Sequence, residues 1–251
     1  MSRQRLDLAL VARGLAESRA KARAAIEAGQ VSIDGRIATR PSEVVADDVH
    51  LEAAPAHPWV GRGALKLVHA LDLWPIAVEE RIVLDVGAST GGFTEVCLAR
   101  GAARVYAVDV GRGQLHPKLA ADPRVIDLQA TDARAIDARL VPESVSLVVC
   151  DVSFIGLAKA LPQALRLAQA GAHLIALVKP QFEAGPEHVG RGGIVKDEAV
   201  RRRTLDDAAM FLTSSGWRVA AVADSPIAGG DGAREYLLWA QKEAARANAG
   251  G

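Results

Sequence analysis

The sequence is poor in the features that mark disulfide-linked, zinc-binding and membrane-spanning proteins. It contains only two cysteines, Cys97 and Cys150, and neither has a second cysteine or a histidine at metal-ligand spacing, which argues against disulfides and zinc. No run of about 18 apolar residues is present, so no membrane span is expected. The N-terminus lacks the apolar core and small-residue cleavage site of a signal peptide. These absences predict a cytoplasmic protein.

The formal net charge is zero, but the charge is unevenly distributed along the chain. Residues 1–40 contain eight basic and four acidic side chains, so this segment carries +4 and the remainder carries −4. A basic N-terminal segment, which we call the head, followed by an acidic remainder indicates a separate module with an anionic partner. A solvated helix face is the alternative interpretation.

The head has the pattern of two helices followed by a small sheet. An apolar stripe at helical spacing ends near Gly14 and consists of Leu6, Leu8, Leu10, Val11 and Leu15. Ser18 is suited to cap a second helix that ends at Gly29. Two short strands then flank an Asp34-Gly35 turn, and a last strand is predicted within 47–53.

This order of elements in "RLDLALVARGLAESRAKARAAIEAGQVSIDGR" resembles the S4 RNA-binding domain over roughly residues 3–52. The resemblance implies a domain at 1–53 that binds structured RNA through phosphate contacts, which position a protein without reading sequence. The basic residues that would make these contacts are Arg3, Arg5, Arg19, Lys21 and Arg23. A linker rich in proline and glycine is predicted at 54–60.

Beyond the linker, apolar strands alternate with helical stretches, which predicts an α/β domain at 61–243 with a mostly parallel, seven-stranded sheet covered on both faces. Strands are predicted at 81–87, 104–110, 124–130, 145–152, 173–180, 217–224 and 232–241. Helices are predicted at 61–73, 91–100, 156–170 and 197–214. The tail, 244–251, is expected to be disordered.

The loop after the first of these strands, in "VLDVGASTGGFTE", is built from small residues. Gly91-Gly92 is followed by Phe93 instead of Lys-Ser/Thr, which excludes a P-loop, and the glycine spacing does not fit a dinucleotide fingerprint. The loop resembles motif I of S-adenosylmethionine-dependent methyltransferases, which have a Rossmann-like class I fold. The resemblance implies S-adenosylmethionine as cofactor. Its predicted binding residues are Asp85, Gly87, Ser89, Gly91, Gly92, Phe93, Asp109 for the ribose hydroxyls and Asp132 for the adenine amino group.

Motifs that are missing from the sequence narrow the range of possible methyl acceptors. The Asn/Asp-Pro-Pro-Tyr motif of adenine methyltransferases is replaced by Asp151-Val152-Ser153-Phe154, and Cys150 is not beside a proline as in cytosine C5 enzymes. A ribose 2′-hydroxyl is the remaining common acceptor. A lysine at a strand end, such as Lys179, stabilises negative charge on that oxygen, and it takes the proton if its pKa is lowered.

The chain resembles the FtsJ-type ribose methyltransferases, which have a Lys-Asp-Lys-Glu tetrad. The matching positions here are Lys66 in "GRGALKL", Asp151 in "VCDVSF", Lys179 in "LVKPQF" and Glu235 in "AREYLLW". With the S4-like head, these motifs look like the TlyA family over nearly the whole chain. Members are 2′-O-methyltransferases of ribosomal RNA, often labelled hemolysins, which implies ribosomal RNA or ribosomal subunits as partner and no stable membrane partner. The arginine that often begins the family's linker is replaced by His57.

The glycine-rich segment 181–196 directly follows the central lysine of the tetrad. We interpret it as an RNA-contacting lid with Arg191 as a phosphate ligand, and a plain solvated loop is the alternative. The sequence leaves two other function classes open. One is a membrane-active hemolysin, and the other is an RNA-binding ribosome assembly factor whose methyltransferase domain is inactive.

Overall fold

The computed structural model describes residues 3–190, 192–229 and 232–244 of the 251-residue chain. The chain folds into two compact units, residues 1–58 and 59–251. Trp59 and Val60, which fall in the predicted linker, pack into the core of the second unit. The predicted tail lies outside the described residues except for Ala244.

The first unit combines two helices with short antiparallel strands. Its elements are β1 (Arg3–Arg5), α1 (Leu6–Ala12), α2 (Arg19–Glu27), β2 (Val31–Ile33), β3 (Arg36–Ile37), β4 (Val44–Ala46) and β5 (Leu51–Ala53). One sheet has the order β3-β2-β5, and β1 pairs separately with β4. The core is formed by α1, α2 and the central strand, with Leu6, Leu10, Ile26 and Val31 almost completely buried.

Local signals in the first unit act as predicted. Ser18 Oγ accepts a hydrogen bond from the backbone N–H of Lys21 at 3.3 Å and so caps α2. Asp34 and Gly35 adopt φ values of 49° and 80°, as the tight turn between β2 and β3 requires. The β1–β4 pair was not predicted, because strands of three residues have no readable alternation. The last strand begins at Leu51, later than the predicted 47.

The second unit is an α/β domain. Its elements are α3 (Ala64–Leu73), β6 (Ile82–Val86), α4 (Gly92–Ala99), β7 (Arg104–Val108), α5 (Pro117–Ala120), β8 (Val125–Leu128), β9 (Val145–Cys150), α6 (Leu157–Ala160), α7 (Pro162–Leu167), β10 (Ala168–Val178), α8 (Pro180–Glu183), α9 (Glu198–Ser214), β11 (Trp217–Asp224) and β12 (Tyr236–Lys242). Within the described residues its seven strands form one sheet in the order β11-β12-β10-β9-β6-β7-β8.

The sheet is mostly parallel, as predicted. β12 runs antiparallel to both of its neighbours, whereas the pairs among β10, β9, β6, β7 and β8 are all parallel. Buried residues form a separate apolar cluster on each face, which explains why the central strands are almost continuously apolar. The strand order reverses direction between β6 and β9, and ligands of such sheets bind outside the carboxyl ends of the strands at this switch point.

The prediction of one helix over 156–170 is wrong. The segment forms two short helices that meet at Leu161, and Pro162 begins the second because a proline without an N–H fits the first turn of a helix. β10 already starts at Ala168, earlier than the predicted 173, with a register shift before His173 and a positive φ of 74° at Gly171. The last strand runs over Tyr236–Lys242 instead of starting at 232.

No helix in the described part of the chain is both long enough and apolar enough to cross a bilayer.

Candidate active site

Two cavities meet at the carboxyl edge of the sheet in the second unit. The larger, which we call the cofactor cavity, has a volume of about 770 Å³ and borders the loops after β6, β7 and β9. The other, which we call the tetrad cavity, has a volume of about 450 Å³ and borders α3, β10 and β12. Both cavities are lined by Asp151, Ser153, Phe154 and Phe182. A group held in one cavity therefore has access to a group held in the other.

The predicted cofactor residues Gly87, Ser89, Asp109 and Asp132 line the cofactor cavity. Asp109 is fixed by two backbone donors, since Ser89 N–H donates to its Oδ2 at 2.8 Å and Gly111 N–H donates to its Oδ1 at 2.7 Å. Each carboxylate oxygen keeps acceptor capacity beyond these bonds. Asp109 is therefore a preoriented acceptor for hydroxyl donors inside the cavity.

Gly87 allows the loop after β6 to approach β9 closely. Its φ is +86°, and a Cβ at this position would lie 2.9 Å from the backbone oxygen of Asp151. An alanine would be strained in that conformation and would also collide with the neighbouring strand end. The glycine thus brings the loop against the aspartate that both cavities share.

Asp132 lies at the rim of the cofactor cavity, and its carboxylate already forms hydrogen bonds with Arg134, two residues further along the chain. Its carboxylate accepts from the backbone N–H of Arg134 at 2.8 Å and pairs with the side chain of that arginine. These contacts, chiefly the side-chain hydrogen bond, lower the pKa of Asp132 to about 2. A contact with an adenine amino group remains a prediction for this residue.

The remaining predicted cofactor residues lie beside the loop that follows β6 and do not line the cofactor cavity. Asp85 is fully buried and accepts from Thr94 Oγ1 at 2.7 Å, which ties β6 to α4, and burial raises its pKa to about 7. Gly91 caps α4 and packs beside two leucine side chains of the following segment. Gly92 and Phe93 border a cavity of about 210 Å³ that continues to Gly61. The Asp85 carboxylate does not line these cavities, so a role in cofactor binding would be indirect.

The four residues of the predicted tetrad all line the tetrad cavity and form two lysine–carboxylate pairs. Lys179 Nζ lies 2.6 Å from Asp151 Oδ1 and donates to Ser153 Oγ at 2.9 Å. Lys66 Nζ lies 2.5 Å from Glu235 Oε2. The side chains of Lys66, Lys179 and Glu235 are buried, and that of Asp151 is 20% exposed. Opposite charges are thus held at fixed positions in a partly enclosed space.

Sequence reasoning did not single out Ser153 and Phe154. Phe154 is 90% exposed, adopts a φ of 67°, and its ring centroid lies 5.1 Å from that of Phe182. A positive φ is rare for a bulky residue, and such backbone conformations cluster at functional sites. Together with the exposure of the ring, the conformation suggests that Phe154 contacts a ligand. The signal available in the sequence was an aromatic residue four positions beyond the end of β9 at Cys150. The pair offers an apolar face to a planar ring where the two cavities meet.

In the first unit, the predicted RNA-binding residues differ in what holds them. Arg5 and Arg19 converge on the fully buried Asp7, at 3.0 Å and 2.8 Å. The hydrogen bond from Arg5 is the main reason that the pKa of Asp7 is well below its usual range. The guanidinium groups remain partly exposed, with side-chain exposures of 41% and 54%. Both arginines are therefore preoriented at the surface by one carboxylate.

Lys21 and Arg23 pair along α2 and its N-terminal flank with Glu17 and Glu27, at 2.6 Å and 3.8 Å. Arg3 lies exposed on β1. The other predicted phosphate ligand, Arg191, lies outside the described residues.

The fold and site define a class of protein. A mostly parallel seven-stranded sheet, with a small-residue loop after its first parallel strand and an acid after the next, is the Rossmann-like fold of class I methyltransferases. A candidate S-adenosylmethionine-dependent methyltransferase from Listeria monocytogenes superposes with a TM-score of 0.56 at 15% identity, over 73% of this chain and 100% of that one. At this identity the likeness shows the fold alone.

The chain belongs to the FtsJ-like methyltransferase family, whose family model matches residues 59–242, and a model of the S4 domain matches residues 4–48. It is 47% identical over 247 residues to the 16S/23S rRNA (cytidine-2′-O)-methyltransferase TlyA of Mycobacterium tuberculosis, which covers 98% of this chain and 92% of the relative. A candidate hemolysin of Streptococcus thermophilus superposes with a TM-score of 0.76 at 38% identity, over 97% of this chain and 90% of that one. The predicted membership of the TlyA family is confirmed.

Proposed function

We propose that this protein transfers a methyl group from S-adenosylmethionine to the 2′-hydroxyl of a ribose in ribosomal RNA. The observation that carries the proposal is the junction of the cofactor cavity and the tetrad cavity at Asp151 and Ser153. The relative from M. tuberculosis, which matches nearly the full chain, is named for this reaction on cytidines of 16S and 23S RNA. Methylation of ribosomal RNA would require the protein to act in the cytoplasm, where ribosomes are found.

The residues of the cofactor cavity fit S-adenosylmethionine. Asp109 presents a carboxylate fixed by backbone donors, which suits ribose hydroxyls, and Val110, Ile155 and Phe154 offer apolar surface for a purine ring. Asp132 is the acceptor available to an exocyclic amino group at the rim. Bound there, S-adenosylmethionine supplies an electrophilic methyl group on its sulfonium sulfur.

The protein's own contribution to the transfer is positioning and charge. A hydroxyl is a weak nucleophile until its proton is leaving, and a preoriented cation at the oxygen stabilises the negative charge that develops. Lys179 fits this role because Asp151 and Ser153 hold its Nζ at the junction of the two cavities. Lys66 and Glu235, which form the second ion pair in the lining of the tetrad cavity, are suited to holding the ribose.

The first unit would recruit the RNA. Arg5 and Arg19 keep partly exposed guanidinium groups that Asp7 orients, and Arg3 adds an exposed charge on β1, the strand that also contains Arg5. A guanidinium fork suits phosphate oxygens better than an ammonium group does. Lys21 and Arg23, which pair with glutamates, would contribute less to phosphate binding than the two arginines.

A methyl-transfer assay tests the proposal. The purified chain is incubated with radiolabelled S-adenosylmethionine and ribosomal subunits from a strain that lacks it, and 2′-O-methylated positions are then mapped in the RNA. We expect label at ribose and none at bases. Label on a base would contradict the proposal. RNA binding without any methyl transfer would also contradict it and would favour an RNA-binding assembly factor. Leakage of liposomes exposed to the protein tests the hemolysin alternative.

Deletion of residues 1–52 tests the recruiting role of the first unit. The shortened chain should retain affinity for S-adenosylmethionine and lose most of its methylation of ribosomal subunits, because the preoriented arginines are removed. Equal methylation by the shortened chain and the full chain would refute the role.

A further inference from the structure

Among the described residues, the lining of the tetrad cavity contains one more cation than its carboxylates neutralise. Among the described residues that line it, the charged side chains are Arg62, Lys66, Asp151, Lys179 and Glu235. Each lysine is paired with one carboxylate, at 2.5 Å and 2.6 Å. Arg62, in the part of the chain that the structure describes, has no carboxylate partner for its exposed side chain. The described lining therefore has a formal charge of +1, supplied by Arg62.

The backbone around Arg62 is fixed between the two halves of the site. A Cβ at Gly61 would lie 2.8 Å from Thr90 Oγ1, and a Cβ at Gly63 would lie 3.2 Å from Asp151 Oδ2, so the backbone on both sides of Arg62 packs closely against the site. The carbonyl of Arg62 accepts from Leu65 N–H at 3.2 Å, which joins the residue to the first turn of α3. A flexible, charged side chain is thus attached to closely packed backbone beside the tetrad.

This arrangement matches the charge of the proposed substrate. A ribose within an RNA chain carries a phosphodiester next to its 2′-hydroxyl, on the 3′ oxygen, and that group has one negative charge. Arginine binds phosphate oxygens in a bidentate manner, and it cannot lose its charge. The tetrad lysines are less available for this anion because each is already paired with a carboxylate.

We propose that Arg62 binds the phosphate next to the target ribose and so fixes the 2′-oxygen in front of Lys179. The inference rests on the proposed function, since it assumes that a ribose enters the tetrad cavity. Arg62 also borders the small cavity lined by the loop residues from Gly87 to Thr90. The competing anion at that position is the carboxylate of the cofactor, which has the same charge and similar oxygen geometry.

The variants Arg62→Gln and Arg62→Lys test whether Arg62 binds the RNA phosphate or the cofactor carboxylate. Arg139→Gln is the matched control. Arg139 has a side chain that is 92% exposed and pairs with Asp137, and it does not line the three cavities. Since Arg62 is exposed at the cavity rim, its replacement should leave the melting temperature unchanged. The probes are ribosomal subunits from a strain that lacks the protein, as in the transfer assay above, and S-adenosylmethionine.

Arg62→Gln should lower kcat/KM for the RNA by about 10- to 100-fold, the usual effect of losing one hydrogen bond to a charged group. It should reduce the slope of log affinity against log salt by about 0.7–0.9, as expected for one phosphate contact. Affinity for S-adenosylmethionine should not change. Arg62→Lys should restore the salt slope and recover only part of kcat/KM, because an ammonium group keeps the charge and lacks the fork. Arg139→Gln should match the wild type.

A loss of S-adenosylmethionine affinity in Arg62→Gln would overturn the inference and assign the arginine to the cofactor carboxylate. An unchanged kcat/KM and salt slope would also overturn it. If the wild type transfers no methyl group, the proposed function fails, and the salt slope alone then decides whether Arg62 contacts phosphate.

Discussion

Replacing Lys179 by alanine should abolish most methyl transfer while leaving cofactor binding intact. The change removes an ammonium group that lies 2.6 Å from Asp151 and donates to Ser153 at 2.9 Å. Loss of one preorganised group that stabilises developing charge typically costs about 2.7–4 kcal/mol, or roughly 10²–10³ in rate. We expect a decrease of that size in single-turnover transfer to ribosomal RNA.

The effect of this substitution on stability should be smaller than its effect on rate. Asp151 would lose its cationic partner, but its side chain is 20% exposed and borders two cavities, so water can replace the lost contact. Leaving a buried polar group without its partner costs about 1–3 kcal/mol, and partial exposure places Asp151 at the low end of this range. Denaturant unfolding of the variant measures this cost separately from the rate.

Two further substitutions at the same position separate charge from shape. Lys179→Met keeps most of the side-chain volume without the charge, so it should be as inactive as the alanine variant. Lys179→Arg keeps the charge, but a planar guanidinium does not fit where the lysine side chain is 8% exposed, so transfer should also fail. Calorimetric titration with S-adenosylmethionine serves as the control for an intact cofactor cavity. Near-normal single-turnover transfer by Lys179→Ala would refute the assigned role and reopen base methylation.

Three other predictions follow from the site. Asp109→Ala should weaken S-adenosylmethionine binding measured by calorimetry, since it removes the preoriented acceptor of the cofactor cavity, and unchanged affinity would contradict the ribose assignment. Glu235→Ala should lower the free energy of unfolding by about 3 kcal/mol, because it leaves the buried Lys66 without a partner, and Lys66→Met combined with Glu235→Leu should recover most of this stability without restoring methyl transfer. Asp85 has a pKa raised to about 7 by burial, so the folded state binds its proton more tightly than the unfolded state, and its contribution to stability is lost as pH rises from about 4 to about 7. Asp85→Asn should remove that loss, and identical pH profiles of the variant and the wild type in denaturant titrations would contradict it.

Much of the fold could be predicted because its signals are local. Ser18 caps a helix through its own side chain, and the Asp34-Gly35 turn depends on backbone conformations that these residue types favour. The parallel strands were predicted because strands covered on both faces must be apolar along their length. Each of these features is decided within a few residues of the chain.

The segment 156–170 was mispredicted because its structure depends on distant partners. Ala168 pairs with Val145 on β9, and Lys242 Nζ donates to the backbone oxygens of Leu165 and Ala168 at 2.8 Å and 2.6 Å. The sequence from 162 to 172 is rich in alanine and leucine, which favour a helix when read locally. Pairing with a neighbouring strand overrides that preference in the folded protein.

The sequence by itself determined the family, the loop that follows β6, and which charged residues stand at the ends of strands. These properties follow from residue type and spacing along one chain. Only the tertiary structure decided how the charges pair: Lys66 meets Glu235 across 169 positions, and Lys179 meets Asp151. It also decided that Arg5 and Arg19 share the buried Asp7, and that Arg62 is left without a carboxylate in the described part of its cavity. The physical reason is that the energy of a charge depends on distances of a few ångströms and on burial, and both are set by the packing of elements that are far apart in sequence.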